Sequence, residues 1–192
     1  MKRVGVLALQ GDFDAHAKAV ERAGAAAVLV RSAADLEGLD GLIIPGGEST
    51  TMLKLLHYDH LMEPFARCAR EKPVFGTCAG AILLAKHVSN PAQESLALMD
   101  IDVERNAYGR QLESRVAELE PEPEFRARTG RETLEAVFIR APIIRRTGPN
   151  TKVLARFRGD PVLVEEGPYM VATFHPELTA DARVHSLFLE KL

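Results

Sequence analysis

The chain has 192 residues, 46% hydrophobic and 27% charged, with a formal net charge of −3. That length and balance suit a single domain over residues 1–192 with a full core. They exclude the strongly basic surfaces that attract nucleic acid or an anionic membrane, and the absence of tryptophan leaves few platforms for stacking bases.

The first half alternates strand and helix signals. "RVGVLAL" is a short apolar run suited to a strand buried on both faces, and "DFDAHAKAVERAG" has helical spacing up to a glycine cap at Gly24. "AAVLVRS" and "DGLIIPGG" read as the second and third strands, the latter stopped by Pro45-Gly46-Gly47. "ESTTMLKLLHYDHLMEPFARCARE" reads as helix with a break before Pro64, "KPVFGTC" as a fourth strand and "AGAILLAKHV" as the helix after it. Such alternation implies a three-layer α/β fold: a mostly parallel sheet flanked by helices.

After about residue 90 the pattern changes. "LALMDIDVERNAYGRQLESRVAELE" holds strand-like segments around a polar centre, and "PEPEFRARTGRE" reads as a charged, proline-bearing loop. "LEAVFIRAP", "TKVLARFRG", "PVLVEEG" and "YMVATFHPE" are short strands between turn residues, and "ADARVHSLFLEKL" is a closing helix. This half is expected to add antiparallel strands to the parallel core.

Cys68 and Cys78 are the only cysteines, too few for a disulfide framework or a four-cysteine zinc site. Two thiols in a chain of this length suggest a reducing compartment. The apolar run at the N-terminus is too short for a signal segment, and nothing approaches the roughly 18 apolar residues of a membrane span. The expectation is a cytoplasmic protein.

Three stretches carry chemistry. In "GTCAG" a cysteine occupies a G-x-nucleophile-x-G turn between strand and helix, the form that exposes a nucleophile outside the carboxyl end of a strand. The unpaired amides of the following helix favour a thiolate at Cys78, and the Ala79 amide can donate to an oxyanion. The alternative is a buried cysteine that only packs.

A nucleophilic cysteine needs a base, and the base an orienting acceptor. "ATFHPEL" supplies both: in an extended segment His175 and Glu177 point to the same side, so Glu177 can hold one ring nitrogen while the other faces Cys78. A turn histidine beside a solvated glutamate is the plainer reading. "IIPGGEST" is the third stretch. Its diglycine lets backbone amides face a ligand, as an oxyanion hole requires. The alternative is an ordinary turn with Ser49 or Thr50 as helix cap. No G-K-[ST] follows, which rejects a Walker loop.

Together these pieces resemble class I (triad) glutamine amidotransferases and, within them, the glutaminase subunits of pyridoxal 5'-phosphate synthase. The resemblance rests on "GVLALQGDFDAH" (5–16), "LIIPGGESTTM" (42–52), "GTCAGAILLA" (76–85), "VERNAYGRQLES" (103–114), "FIRAP" (138–142) and "FHPEL" (174–178). It implies Cys78 as nucleophile on the glutamine amide, His175 as general base and then acid, and Glu177 as its orienting group. It places Gly47, Glu48, Ser49, Arg105, Ile139 and Arg140 in the glutamine pocket, with Gly46, Gly47 and Ala79 in the oxyanion hole. A zwitterionic amino acid needs a cation and an acceptor, for which Arg105 and Glu48 suit, unless they only pair at the surface. No cofactor or metal is implied. The implied partner is a synthase subunit that accepts the ammonia, within a multi-subunit complex. Gln10 and Asp12 are the favoured contact positions, with an ordinary βα loop capped by Asp12 or Asp14 as the alternative.

Competing readings are a cysteine peptidase or chaperone-like hydrolase on the same elbow, and a non-catalytic module that keeps the fold. The former often place a histidine directly after the cysteine, where this chain has Ala79. A non-catalytic module would usually lose part of the triad. His57 and His60 lie three apart on a helix, but no further motif supports a metal site. His16, His87 and His185 stand in no evident constellation, and Cys68 reads as packing.

Overall fold

The computed structural model describes residues 1–107, 115–130 and 132–192. Residues 108–114 of the "VERNAYGRQLES" stretch therefore lie outside the described residues.

In chain order the elements are β1 (Arg3–Leu7), α1 (Phe13–Arg22), β2 (Ala26–Val30), β3 (Gly41–Ile44), α2 (Ser49–Tyr58) and α3 (Met62–Glu71). Then come β4 (Val74–Thr77), α4 (Ala79–Leu84), β5 (Ala85–Ser89), β6 (Met99–Glu104), β7 (Arg115–Leu119) and α5 (Pro123–Thr129). The chain closes with β8 (Leu134–Phe138), β9 (Ile143–Thr147), β10 (Lys152–Phe157), β11 (Asp160–Glu166), β12 (Tyr169–Ala172) and α6 (Arg183–Leu189).

The main sheet runs in the order β10-β11-β12-β4-β3-β1-β2. Strands β2, β1, β3, β4 and β12 are parallel, while β10 and β11 add on as antiparallel neighbours. Every residue of β3 and β4 is buried, which is why both sequences, Thr77 aside, are apolar without alternation. Successive side chains feed opposite layers. Leu42 and Ile44 join Met52, Leu56, Phe65 and Leu83 on one face. Ile43 and Phe75 join Val20, Val184 and Phe188 of α1 and α6 on the other. Smaller sheets, β5-β6-β9 and the antiparallel pair β7-β8, complete the second half. The expected three-layer α/β architecture is thus the observed one.

Four details differ from the sequence reading. The segment after Cys78 is helical only to Leu84, because Ala85 onward pairs in parallel with β6. A six-residue helix has few internal hydrogen bonds to oppose that pairing. The long helix breaks at Asp59–Leu61, so Pro64 lies in the first turn of α3, where its missing N–H costs nothing. "PEPEFRARTGRE" is not a loop throughout: Pro123 opens α5, Gly130 ends it in the left-handed conformation, and Phe125 anchors it in the core. Strand β9 carries Arg145 and Arg146, whose charges hide the strand pattern; they pair with Glu104 and Asp102 on the adjacent β6.

The topology decides where the chemistry falls. Strand β4 lies between β3 and β12, with Ile44 opposite Gly76 and Ala172 opposite Thr77. The carboxyl ends of three adjacent parallel strands therefore deliver the diglycine, Cys78 and His175 to one edge.

Candidate active site

Cys78 follows β4 at once and caps α4, with a backbone φ of 48° and ψ of −103°. A non-glycine residue at positive φ is strained and persists only where its surroundings impose it. Here the Cys78 amide donates to the Ala172 carbonyl at 2.8 Å, locking the elbow to β12. Gly76 and Gly80 make the turn sterically feasible. A Cβ at Gly76 would stand 2.6 Å from the Gly80 carbonyl carbon, and one at Gly80 would strike the Ile44 carbonyl. Cys78 Sγ is 3.9 Å from the Ile139 carbonyl, and the residue is 6% exposed.

His175 enters from the end of β12, its amide donating to the Val137 carbonyl at 2.8 Å. Pro176 then starts a short 3-10 turn that swings Glu177 back beneath the ring. Glu177 Oε1 lies 2.7 Å from His175 Nδ1, and both residues are buried. Burial alone would lower the His175 pKa. Hydrogen bonding to Cys78 and Glu177, and their negative charge, outweigh it and push the value up to about 10. At neutral pH the imidazole therefore holds its proton between a carboxylate and a sulfur. Gly46 approaches so closely that a Cβ there would strike the His175 ring and stand 3.2 Å from Cys78 Cβ.

Cys78, His175 and the diglycine border a cleft of about 360 Å³, within the usual range for small-ligand sites of about 300–1,000 Å³. Its walls include Gln10, Asp12, Gly46, Gly47, Glu48, Ser49, Cys78, Arg105, Ile139, Arg140 and His175. Ala79 is fully buried and does not line it. Gly11, Ile82 and Asn106 also line the cleft, although the motifs do not single them out.

The helix after the diglycine is not capped by Ser49 or Thr50. Glu48 caps it, accepting from Thr50 N at 3.1 Å and Thr51 N at 2.7 Å. Partial burial works against the Glu48 carboxylate, but the hydrogen bonds from Thr51 and Thr50 prevail and hold its pKa below the usual value. Glu48 Oε1 also lies 3.4 Å from an Arg105 guanidinium nitrogen, and Arg105 donates to Thr50 Oγ1 at 2.9 Å. Ser49 and Thr50 hydroxyls both turn to Gln93 Oε1. Gln10 Oε1 accepts from the Glu48 amide at 3.0 Å, tying the loop after β1 to the diglycine loop. Asp12 occupies the cap position of α1, but its side chain accepts no capping hydrogen bond.

Two histidines without an evident constellation in the sequence belong to this neighbourhood. His16 and His185 are fully buried behind Glu177. His16 Nε2 is 3.0 Å from Thr77 Oγ1 and 3.3 Å from Glu177 Oε2, and its Nδ1 is 3.1 Å from His185 Nε2. The available signal was periodicity: His16 shares the buried stripe of α1 with Ala19 and Val20. His57, by contrast, pairs with Glu94 at the surface. Among the described residues no group of three His, Cys, Asp or Glu side chains is placed to hold a metal ion. Cys68 packs half-buried against the core, and burial raises its thiol pKa.

A protein named pyridoxal 5'-phosphate synthase subunit PdxT, from Solibacter usitatus (strain Ellin6076), is 65% identical over 192 residues, covering 100% of both chains. One of the same name from Koribacter versatilis (strain Ellin345) is 54% identical, covering 98% of this chain and 94% of the relative. A crystal structure described as a glutamine amidotransferase superposes with a TM-score of 0.86 at 48% identity, covering 98% of this chain and 97% of the other. The family model described as "SNO glutamine amidotransferase family" matches residues 6–192, and the chain belongs to that family.

Proposed function

We propose that this chain hydrolyses glutamine to glutamate and ammonia through Cys78, His175 and Glu177, and that the ammonia serves pyridoxal 5'-phosphate synthesis on a synthase subunit. Family membership and the relatives' names support the glutaminase activity and its biosynthetic use. The observation that carries the triad is the parallel pairing of β12 with β4. It sets His175 beside Cys78, with Glu177 2.7 Å behind the ring.

The chemistry follows from the proton's position. With the imidazole protonated, Cys78 sulfur attacks the glutamine side-chain carbonyl carbon and the C=O π pair moves to oxygen. Amides of Gly46, Gly47 and Ala79 are the donors for the resulting oxyanion. As the tetrahedral centre collapses, the C–N bond breaks and His175 gives its proton to the leaving ammonia. A γ-glutamyl thioester remains. Water then loses a proton to His175, attacks the thioester carbon and releases glutamate, returning the sulfur to its resting state. Glu177 keeps Nδ1 engaged throughout, so that the opposite ring nitrogen faces the reaction.

Substrate recognition is assigned to Arg105 for the α-carboxylate and Glu48 for the ammonium, with Gly47, Ser49, Ile139 and Arg140 shaping the pocket. The Glu48 cap fixes that carboxylate before substrate arrives. Gln10 and Asp12, on the rim of the same cleft, are assigned to contact with the synthase subunit, in a multi-subunit complex in the cytoplasm. Two free cysteines and the absence, among the described residues, of a helix able to cross a membrane are compatible with that location.

The test is ammonia release from glutamine with and without the synthase subunit, for wild type and Cys78→Ala. The expected result is partner-supported release by wild type and none above background by the variant. An inert wild-type complex, or a fully active variant, would sink the assignment.

A further inference from the structure

His175 uses only one oxygen of Glu177. The other, Oε2, is buried and accepts no hydrogen bond from any described residue in good geometry. An unpartnered buried carboxylate oxygen is costly, so whatever faces it matters. What faces it is His16 Nε2 at 3.3 Å, reaching across from α1.

The protonation pattern of the buried pair can be deduced. Burial first, then its histidine neighbours His185 and His175, lower the His16 pKa well below its ordinary value, so the ring is neutral and carries one N–H. Burial and Arg22 bring His185 down to about 3, so it too is neutral. A bare Nε2 lone pair on His16 would point at the Glu177 oxygen and be repelled. With the proton on Nε2, the same nitrogen donates to Thr77 Oγ1 at 3.0 Å and presents positive charge to Oε2. His16 Nδ1 is then an acceptor for His185 Nε2–H at 3.1 Å. The remaining His185 Nδ1 is left as a bare acceptor, in keeping with its lack of a partner. The titratable groups around His16 are thus Glu177 and His175 from the loop after β12 and His185 from α6. Arg22 acts on His185 from α1 itself, and the nearest polar neighbour on β4 is Thr77.

We propose that His16 is a positioning residue for the triad: its Nε2–H, oriented from behind by His185, faces the second Glu177 oxygen and holds the carboxylate in line with His175. The proposal rests on the triad reading above. It deepens that reading by giving the carboxylate a second support, from an element far away in sequence.

The test has an arm that needs no turnover and an arm that does. Histidine ¹⁵N NMR at neutral pH should show His16 and His185 as neutral Nε2–H tautomers. In the complex with the synthase subunit, His16→Leu should lower kcat by about tenfold or more with KM unchanged, because the orienting carboxylate of the catalytic histidine loses one of its two supports. The acid limb of its pH profile should move to higher pH, because protonating an unsupported carboxylate costs less. His16→Gln, whose amide N–H can take the place of Nε2–H, should recover most of the rate.

A neutral Nδ1–H tautomer at His16 would overturn the proposal. So would a folded His16→Leu enzyme with wild-type kcat and pH profile. Equal losses in the leucine and glutamine variants with an unmoved acid limb would show a packing role only, which also overturns it. If the leucine variant does not fold, the glutamine variant and the tautomer decide. A wild-type complex that releases no ammonia would bring down the triad reading, and the tautomer measurement separates that failure from this one.

Discussion

Glu177 stands between two histidines that the fold treats in opposite ways. On the cleft side, burial lowers the His175 pKa, but partners on both ring nitrogens lift it to about 10. On the buried side, His16 has an uncharged ring and a threonine hydroxyl at hydrogen-bond distance, and burial prevails. Both rings are nearly or fully buried, so burial alone does not set protonation. What differs is the contact with Glu177: Oε1 lies at hydrogen-bond distance, 2.7 Å, from His175 Nδ1, whereas Oε2 faces His16 Nε2 at 3.3 Å without a hydrogen bond in good geometry. The cleft side is built to store a proton, and the buried side to direct a neutral dipole.

The harshest way to break this contrast is to remove the sulfur. Cys78→Ala should reduce ammonia release to background in a coupled glutamate dehydrogenase assay. Next, Glu177→Gln should lower kcat by roughly 10²–10⁴-fold, since it removes the anion and disturbs the His175 tautomer. Its KM for glutamine should change little, as Glu177 does not line the cleft.

Stability against pH sharpens the same comparison, and the two signs are opposite. The His175 pKa is raised from 6.5 to about 10, so its contribution is full below about pH 6.5 and is lost as pH rises toward 10. The His185 pKa is lowered to about 3, so its contribution is present above about pH 6.5 and is lost as pH falls toward 3. Thermal melts across pH should therefore decline on both sides of neutrality. In Cys78→Ala the alkaline decline should be smaller and end at lower pH, because the folded His175 pKa loses one of the partners that raise it, and the acid side should be unmoved.

A smaller effect is expected at the rim of the cleft. Glu48→Gln keeps a helix-capping oxygen but loses the charge facing Arg105. It should raise KM for glutamine by about tenfold, with only about 0.5–1 kcal/mol lost in denaturant unfolding. Smallest of all, His57→Ala removes an exposed pair with Glu94 and should shift stability by no more than about 0.5 kcal/mol, with unchanged turnover.

Much of this site was legible in the chain because its parts are local. A glycine-flanked cysteine after an apolar run, a diglycine after another, and a histidine two residues before a glutamate each carry their own geometry. The supporting layer was not legible. His16 and His185 are 169 residues apart in sequence, and each looks like an isolated histidine on a helix. Only packing α1 and α6 on the same sheet face joins them. The charged stretch around Phe125 misled for a related reason. Its helix is held by one buried ring and by Arg128 pairing with Glu165 and Glu190, which lie far along the chain.

By itself, then, the sequence determined the strand–helix alternation, the sharp turns and the reactive residue types, because these follow from periodicity, glycine and proline over a few residues. The tertiary structure decided the order of the strands, and with it that β12 lies beside β4, so that His175 meets Cys78. It also decided which of several histidines is charged. Both depend on burial and on partners distant in sequence, and no local pattern contains them.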